Sequence, residues 1–509
     1  MGKNILIFSD GTGFAGGYTP DEARSNVYKL FRATRVSPDT CIDPKLQIAF
    51  YDAGLGSRAK GEAIKLKWWR RVYNLLSRAT GLGITQNIID VYAEIIRVWQ
   101  PGDRIYLFGF SRGAYTVRCV GGVLKYCGVP TAVRVGRGQT RPLQRDRKSA
   151  RRIAAEAVKR VYQHGSSMRG DPQREERELR AMRFRAKYCS GDGQISNTAP
   201  YFIGVWETVE TLGAGTLALG LVVGAYEALC AVTAGAAALM TGLHFGAWFA
   251  LLGLGAPMAA YAAACWRYGG WVSLARYRMA FYDTKLNYAV RYARHALSID
   301  ENRRRFNCVP WEEERSRHAL PPAGGGTPRV RQLWFAGNHA DVGGGYPETE
   351  SRLSDIALSW MVEEATSLPQ PILIDNSVLK LYPDAAALQH DERKAFNAAW
   401  PHWLIEVCER VFGRNSFGWR ERRRTIAYDA LLHPTVLERF KLPGVLVYGD
   451  IVPYRPRALR HHDEVKGFWP QPTIWAHGAA PPRRPAGRPA RVRRPRAALT
   501  YRWSRARQY

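Results

Sequence analysis

A serine with glycine two positions away on each side, Gly109-Phe110-Ser111-Arg112-Gly113, is an arrangement in which a hydroxyl can act as a nucleophile. Such an elbow needs a strand feeding a tight turn that opens into a helix, and the small residues let neighbouring chain pass close to the strained point. A serine hydroxyl attacks poorly until a base takes its proton, so a nucleophile-acid-base order puts a histidine downstream. Two histidines stand in suitable contexts, His339 in WFAGNHADVGGG and His295 in RYARHALSID. His339 is preferred, because it follows a strand-like run and three glycines after it permit close backbone approach. The orienting acid is Glu207, at the end of the run FIGVW, with Asp300 in SIDENR as its rival; Asp341 lies too near His339 in sequence to be a comfortable partner.

Acyl transfer also needs donors for an oxyanion. The backbone N–H of Arg112, the residue after the serine, is one. The loop SDGTG, where Asp10, Gly11, Thr12 and Gly13 leave the first strand-like run, is the expected source of the second. That loop also invites a phosphatase reading through the pattern D-x-D-G-T, but Phe8 occupies the place of the nucleophilic aspartate. The eight cysteines are scattered singly and form no Cys/His cluster at zinc spacing, so no metal site is expected, and serine chemistry needs no cofactor.

These residues must be held by an alternation of strands and helices. Asn4 to Phe8 reads as a buried strand and Ser25 to Ala33 as a helix capped by Ser25 or Asn26. Leu46 to Tyr51 is the next strand, and the spacing of Ile88, Ile89, Tyr92, Ile95, Ile96 and Trp99 predicts a helix over 85–99. Arg104 to Phe110 is the strand before the elbow. The segment KLNYAVRYARHALSIDENRRRF reads as a helix running into a basic loop, RVRQLWF as a strand and LSDIALSWMVEEA as a helix with Asp355 in its first turn. Strands separated by helices imply a parallel sheet covered on both faces.

With 509 residues, 46% of them hydrophobic, the chain can bury a sizeable core, and its formal net charge of +30 attracts it to anionic surfaces. From Leu212 to Cys265 the only charged residue among Asp, Glu, Lys and Arg is Glu227. A bilayer core about 30 Å thick takes roughly 20 apolar residues per helix, so this length suits a two-pass hairpin, the alternative being a pair of buried core helices. Arginines on both sides put both ends in the cytoplasm. The expected organisation is 1–131 with the elbow, an Arg-rich helical insertion at 132–200, a strand at 201–211, and the apolar membrane hairpin at 212–266. A second part of the catalytic domain follows at 267–370, then a mixed accessory region at 371–477 and a basic disordered tail at 478–509. The insertion reads as a solvated face or as an anion-binding lid. The opening MGKNILIFSDGTG has no signal-peptide apolar region and lacks the myristoylation pattern.

Taken together, LIFSDGTG, SNVYKLFRA, YDAGLGS, the elbow block, FIGVWETV, HALSIDENRRRF and QLWFAGNHADVGGGY resemble a bacterial and fungal α/β-hydrolase family of unknown function, to which phospholipase effectors of type VI secretion are similar. The resemblance covers about 3–130 and 200–365. It implies an α/β-hydrolase-like, mainly parallel sheet flanked by helices, with Ser111 as nucleophile and His339 as base. Where the family commonly reads GVWDTV this chain reads GVWETV, so Glu207 stands in place of an aspartate and the acid's role passes to a longer arm or to Asp300. The resemblance implies ester hydrolysis through an acyl-enzyme, and the expected membrane hairpin and basic charge place the ester in a lipid at an anionic membrane surface. The protein would be membrane-associated on the cytoplasmic side of a bacterial inner membrane, or exported without a signal peptide. Two other readings are a catalytically impaired membrane-tethered scaffold, whose Arg-rich tail holds lipid or nucleic acid, and a soluble esterase of small esters.

Overall fold

Six parallel strands form the centre of the computed structural model. In chain order they are β1 (Asn4–Ser9), β2 (Gln47–Asp52), β3 (Arg104–Phe110), β4 (Phe202–Trp206), β5 (Tyr292–Ser298) and β6 (Val330–Phe335). Their spatial order is β6-β5-β4-β3-β1-β2. The structure describes residues 2–53, 84–164, 174–209, 285–313, 327–398 and 421–469, with breaks at 12–13, 15, 17–22, 137 and 305, and isolated positions within 401–410. The expected membrane hairpin at 212–266, Thr12 and the basic tail at 478–509 lie outside the described residues, among which no helix is long and apolar enough to cross a membrane. One compact unit runs Met1–Trp469.

Strands in such a sheet are buried on both faces, and their period of two sorts side chains into two cores. Ile5 and Ile7 of β1, Ile105 and Leu107 of β3, and Ile203 and Val205 of β4 pack under α2 (Ile84–Val98) and α3 (Arg112–Cys127). Leu6, Phe8, Tyr106, Phe108, Phe202 and Trp206 face the other way, toward α1 (Asn26–Thr34) and α7 (Arg352–Thr366). The Arg-rich stretch contributes α4 (Arg147–Glu156), a π-helical turn and α5 (Arg174–Tyr188). Its arginines Arg151 and Arg152 are exposed, while Ala150, Ile153, Ala154, Val158 and Val161 join the core under α2 and α3. The solvated face is therefore only half of this segment.

One element differs from expectation. Tyr292–Ser298 is the fully buried strand β5, not a helix, and lies between β4 and β6. Its residues, Ala, Arg, His and Leu among them, include good helix formers. Burial on both faces removes the alternation that marks a half-exposed strand, and pairing on both edges overrides local preference. The region after Pro369, uninformative as sequence, forms a third core around Val436, Phe440, Tyr454 and Leu459 against Leu297, Ile299 and Trp334. It also covers the edge of β6, where Trp334 N–H donates to the Leu431 carbonyl (2.9 Å) and His433 N–H to the Trp334 carbonyl (2.9 Å).

Candidate active site

The strand order reverses between β1 and β3, and in open α/β sheets the crevice at the carboxyl ends beside such a reversal is where ligands bind. Ser111 stands there, directly after β3, at φ 56° and ψ −116°, and α3 starts at the next residue. A positive φ in a non-glycine residue is strained, and here both neighbours of the motif explain how it persists. A Cβ on Gly113 would fall 1.9 Å from the Ser9 carbonyl oxygen, and one on Gly109 would fall 2.6 Å from the Gly113 carbonyl oxygen. The Ser111 N–H donates to the Trp206 carbonyl (3.0 Å), tying the elbow to the end of β4.

Glu207 is the next residue of that strand end, also at positive φ (45°) and fully buried. Its Oε1 accepts from the Ser298 N–H (2.6 Å), and its Oε2 faces His339 Nδ1 (3.1 Å) and accepts from Arg424 Nη2 (2.5 Å). Burial pushes this carboxyl up, but the Arg424 charge, the His339 bond and the Ser298 N–H outweigh it and hold Glu207 below the ordinary glutamate value.

His339 opens the short helix α6 (His339–Gly343). Asn338 and Asp341 form a reciprocal capping box around it, and the His339 N–H donates to Glu301 Oε2 (3.3 Å). The ring lies 4.7 Å from that of Phe110 and 5.1 Å from that of Phe306. The glycines after it are needed for docking on the elbow: a Cβ on Gly343 would meet Phe110 at 1.9 Å, and one on Gly345, at φ 126°, would meet Phe14 at 2.7 Å. With Nδ1–H turned to Glu207, Nε2 is left as the acceptor. Ser111 and His339 are 8% and 5% exposed, and no hydrogen bond joins Ser111 Oγ to His339 Nε2 among the described residues.

The other expected residues fall as follows. Asp300 is half-buried with Oδ2 accepting from the Gly337 N–H (2.8 Å) and the Tyr454 hydroxyl (2.8 Å), and among the described residues it makes no bond to His339. Burial pushes its carboxyl up to about 6. His295 sits mid-strand in β5, between Thr208 and Gln332, away from the rim, and burial holds its imidazole well below the ordinary value. Asp10 anchors the β1 loop, accepting from the Gly11 N–H (2.6 Å), Ser25 Oγ (2.5 Å) and the Tyr51 hydroxyl (2.6 Å). The Gly11 N–H is thus turned onto its own loop. Arg112 is the first residue of α3, and Thr12 lies outside the described residues.

Two contributors were not legible in sequence. Glu301 follows Asp300 and pairs with Arg303 (2.7 Å) while holding the His339 backbone. Arg424 comes from the run RERRRT, one cation among 74 Lys and Arg, with nothing local to mark it as buried.

Residues 3–364 match the model of the family of type VI secretion phospholipase effectors, Tle1-like, catalytic domain. An uncharacterized protein of Saccharomyces cerevisiae is 32% identical over 133 residues, which are 25% of this chain and 18% of that protein. Among solved structures, an uncharacterized protein from Pseudomonas aeruginosa is 14% identical with a TM-score of 0.34, covering 75% of this chain and 48% of its own. The Tle1 effector bound to the VgrG spike of the type 6 secretion system is 15% identical with a TM-score of 0.27, covering 69% and 53%. This chain spans less than a fifth of the yeast relative and about half of each of these structures. By the extent of the matched domain, the chain belongs to the family of Tle1-like phospholipase effector catalytic domains of type VI secretion.

Proposed function

We propose that the chain is a serine hydrolase that cleaves carboxylic esters of lipids, through Ser111, His339 and Glu207. The observation that carries this reading is the 3.1 Å contact between Glu207 Oε2 and His339 Nδ1 beside a serine held at φ 56°. Ser111 Oγ attacks the acyl carbonyl as its proton passes to His339 Nε2, and Glu207 stabilises the imidazolium through Nδ1–H. The tetrahedral oxyanion accepts from the Arg112 N–H; Gly11 would join by exchanging Asp10 for the oxyanion. Collapse breaks the ester bond, His339 returns the proton to the departing alcohol, and water repeats the sequence to free the acid. Of the two acids considered, Glu207 is taken here because Asp300 is committed to Gly337 and Tyr454.

The family match and the net charge favour a phospholipid at an anionic bilayer, with the apolar run 212–266 as its tether. Turnover of short- and long-chain acyl esters tests the chemistry. Ser111→Ala and His339→Ala are expected to lower kcat by about 10³-fold or more while the fold persists. Equal turnover by wild type and Ser111→Ala would overturn the reading. A second reading, a non-hydrolytic scaffold, draws support from the missing hydrogen bond between Ser111 and His339. Catalytic hydrogen bonds are often loose without substrate, so the same assay separates the two.

A further inference from the structure

We propose that Arg424 is a positioning residue that makes a glutamate competent as the acid partner of His339. This rests on the hydrolase reading and concerns a residue beyond the matched segment 3–364.

The Glu207 side chain has one more torsion to fix than an aspartate, and three contacts fix it: Ser298 N–H on Oε1, and His339 and Arg424 on Oε2. Arg424 is 9% exposed, and its Nε and Nη1 are buried without a hydrogen-bond partner among the described residues. Nη2 also makes a long bond to Ser298 Oγ (3.4 Å), and the Cys308 side chain faces the same guanidinium. Burying a guanidinium with two donors unsatisfied is costly, and the largest offset is its charge contact with Glu207, ahead of Cys308 and Glu301.

A second carboxylate, Glu301, reaches the backbone of the same histidine. Two buried acids around one imidazole tend to take up a proton between them unless cations oppose it. Arg303 answers Glu301, and Arg424 answers Glu207. Without Arg424, the leading opposition to burial at Glu207 is gone and only the His339 bond and the Ser298 N–H remain, so the carboxyl rises; the protonated acid no longer stabilises an imidazolium. The segment that delivers Arg424 is docked on the loop after β5, with the Arg422 N–H on the Asn302 carbonyl (2.8 Å) and a bridge between Arg303 and Glu421.

The test uses the full chain with p-nitrophenyl butyrate as the probe ester. Arg424→Met is expected to lower kcat about 100-fold with KM nearly unchanged, and Arg424→Lys to recover roughly tenfold of that loss. In a Glu207→Asp background the shorter arm draws back from both partners of Oε2, so the coupling to Arg424 is weakened and adding Arg424→Met is expected to cost less than about threefold. The ¹³C carboxyl resonance of Glu207, assigned with Glu207→Gln, should titrate at higher pH in Arg424→Met than in wild type. Wild-type kcat and an unmoved Glu207 titration in Arg424→Met would overturn the proposal, and if that variant does not fold, the same two readouts on Arg424→Lys decide it. If wild type itself turns over no ester, the hydrolase reading fails while the carboxyl titration still decides the role of Arg424.

Discussion

Ser111 and Glu207 both adopt positive φ, and both do so at strand ends where the backbone is bonded to a neighbouring strand. Strain of this kind costs on the order of 1–3 kcal/mol per residue and persists only where surroundings impose it. At the elbow the imposing contact is Gly113 against Ser9, which leaves no room for a methyl group. Gly113→Ala is therefore expected to destabilise the protein by about 3 kcal/mol or more, read as a lowered denaturation midpoint, whereas a surface Gly138→Ala should cost less despite its own positive φ. The residues of this rim differ in how legible they are. Ser111 and His339 could be named because each sits in a local pattern of glycines that the backbone requires. Glu207 could be placed only at a strand end, with Asp300 as an equal in kind, because which carboxylate meets an imidazole depends on strand order. Arg424 reaches the site by a connection of 217 residues and left no local trace.

At the scale of elements, β1, α1, β2, α2 and β3 follow their apolar periodicity closely, since each is a local solution to burying one face. β5 does not, because burial on both faces and pairing on both edges leave nothing periodic to read. Helix α6 is too short to be stable alone and is held by its capping box and by neighbours outside it. Asp341 serves the box through Oδ2 and meets His390 Nδ1 through Oδ1 (2.7 Å), while His390 Nε2 faces Glu350 (3.2 Å) and its ring stacks on Tyr346. Burial lowers the His390 imidazolium, but Asp341 and Glu350 outweigh it and hold its pKa above the ordinary value. A raised histidine contributes stability that is complete below its unfolded value, about 6.5, and is lost as pH rises through the folded one. Wild type is thus expected to lose stability across that window, and His390→Gln to show a flatter profile in urea denaturation at several pH values. Parallel profiles for the two proteins would remove His390 from this role.

Over the whole molecule, the matched catalytic segment is completed by chain beyond it. The third core seals the edge of β6, and Arg424 and His390 enter the site from the same region. The net charge of +30 belongs to this scale too, since it governs encounter with anionic surfaces and says nothing of fold. Binding to vesicles containing phosphatidylserine is expected to weaken steeply between 50 mM and 500 mM salt when 212–266 is deleted, and to persist through carbonate washing when it is present. Full release of the intact chain by carbonate would contradict the tether. The claim on which all of this depends is that Ser111 is a nucleophile activated by His339. Mass spectrometry of the chain after reaction with a fluorophosphonate tests it most directly. The adduct is expected on Ser111, absent in Ser111→Ala and formed at least about 100-fold more slowly in His339→Ala. An adduct on another serine, or equal labelling of wild type and Ser111→Ala, would contradict the account.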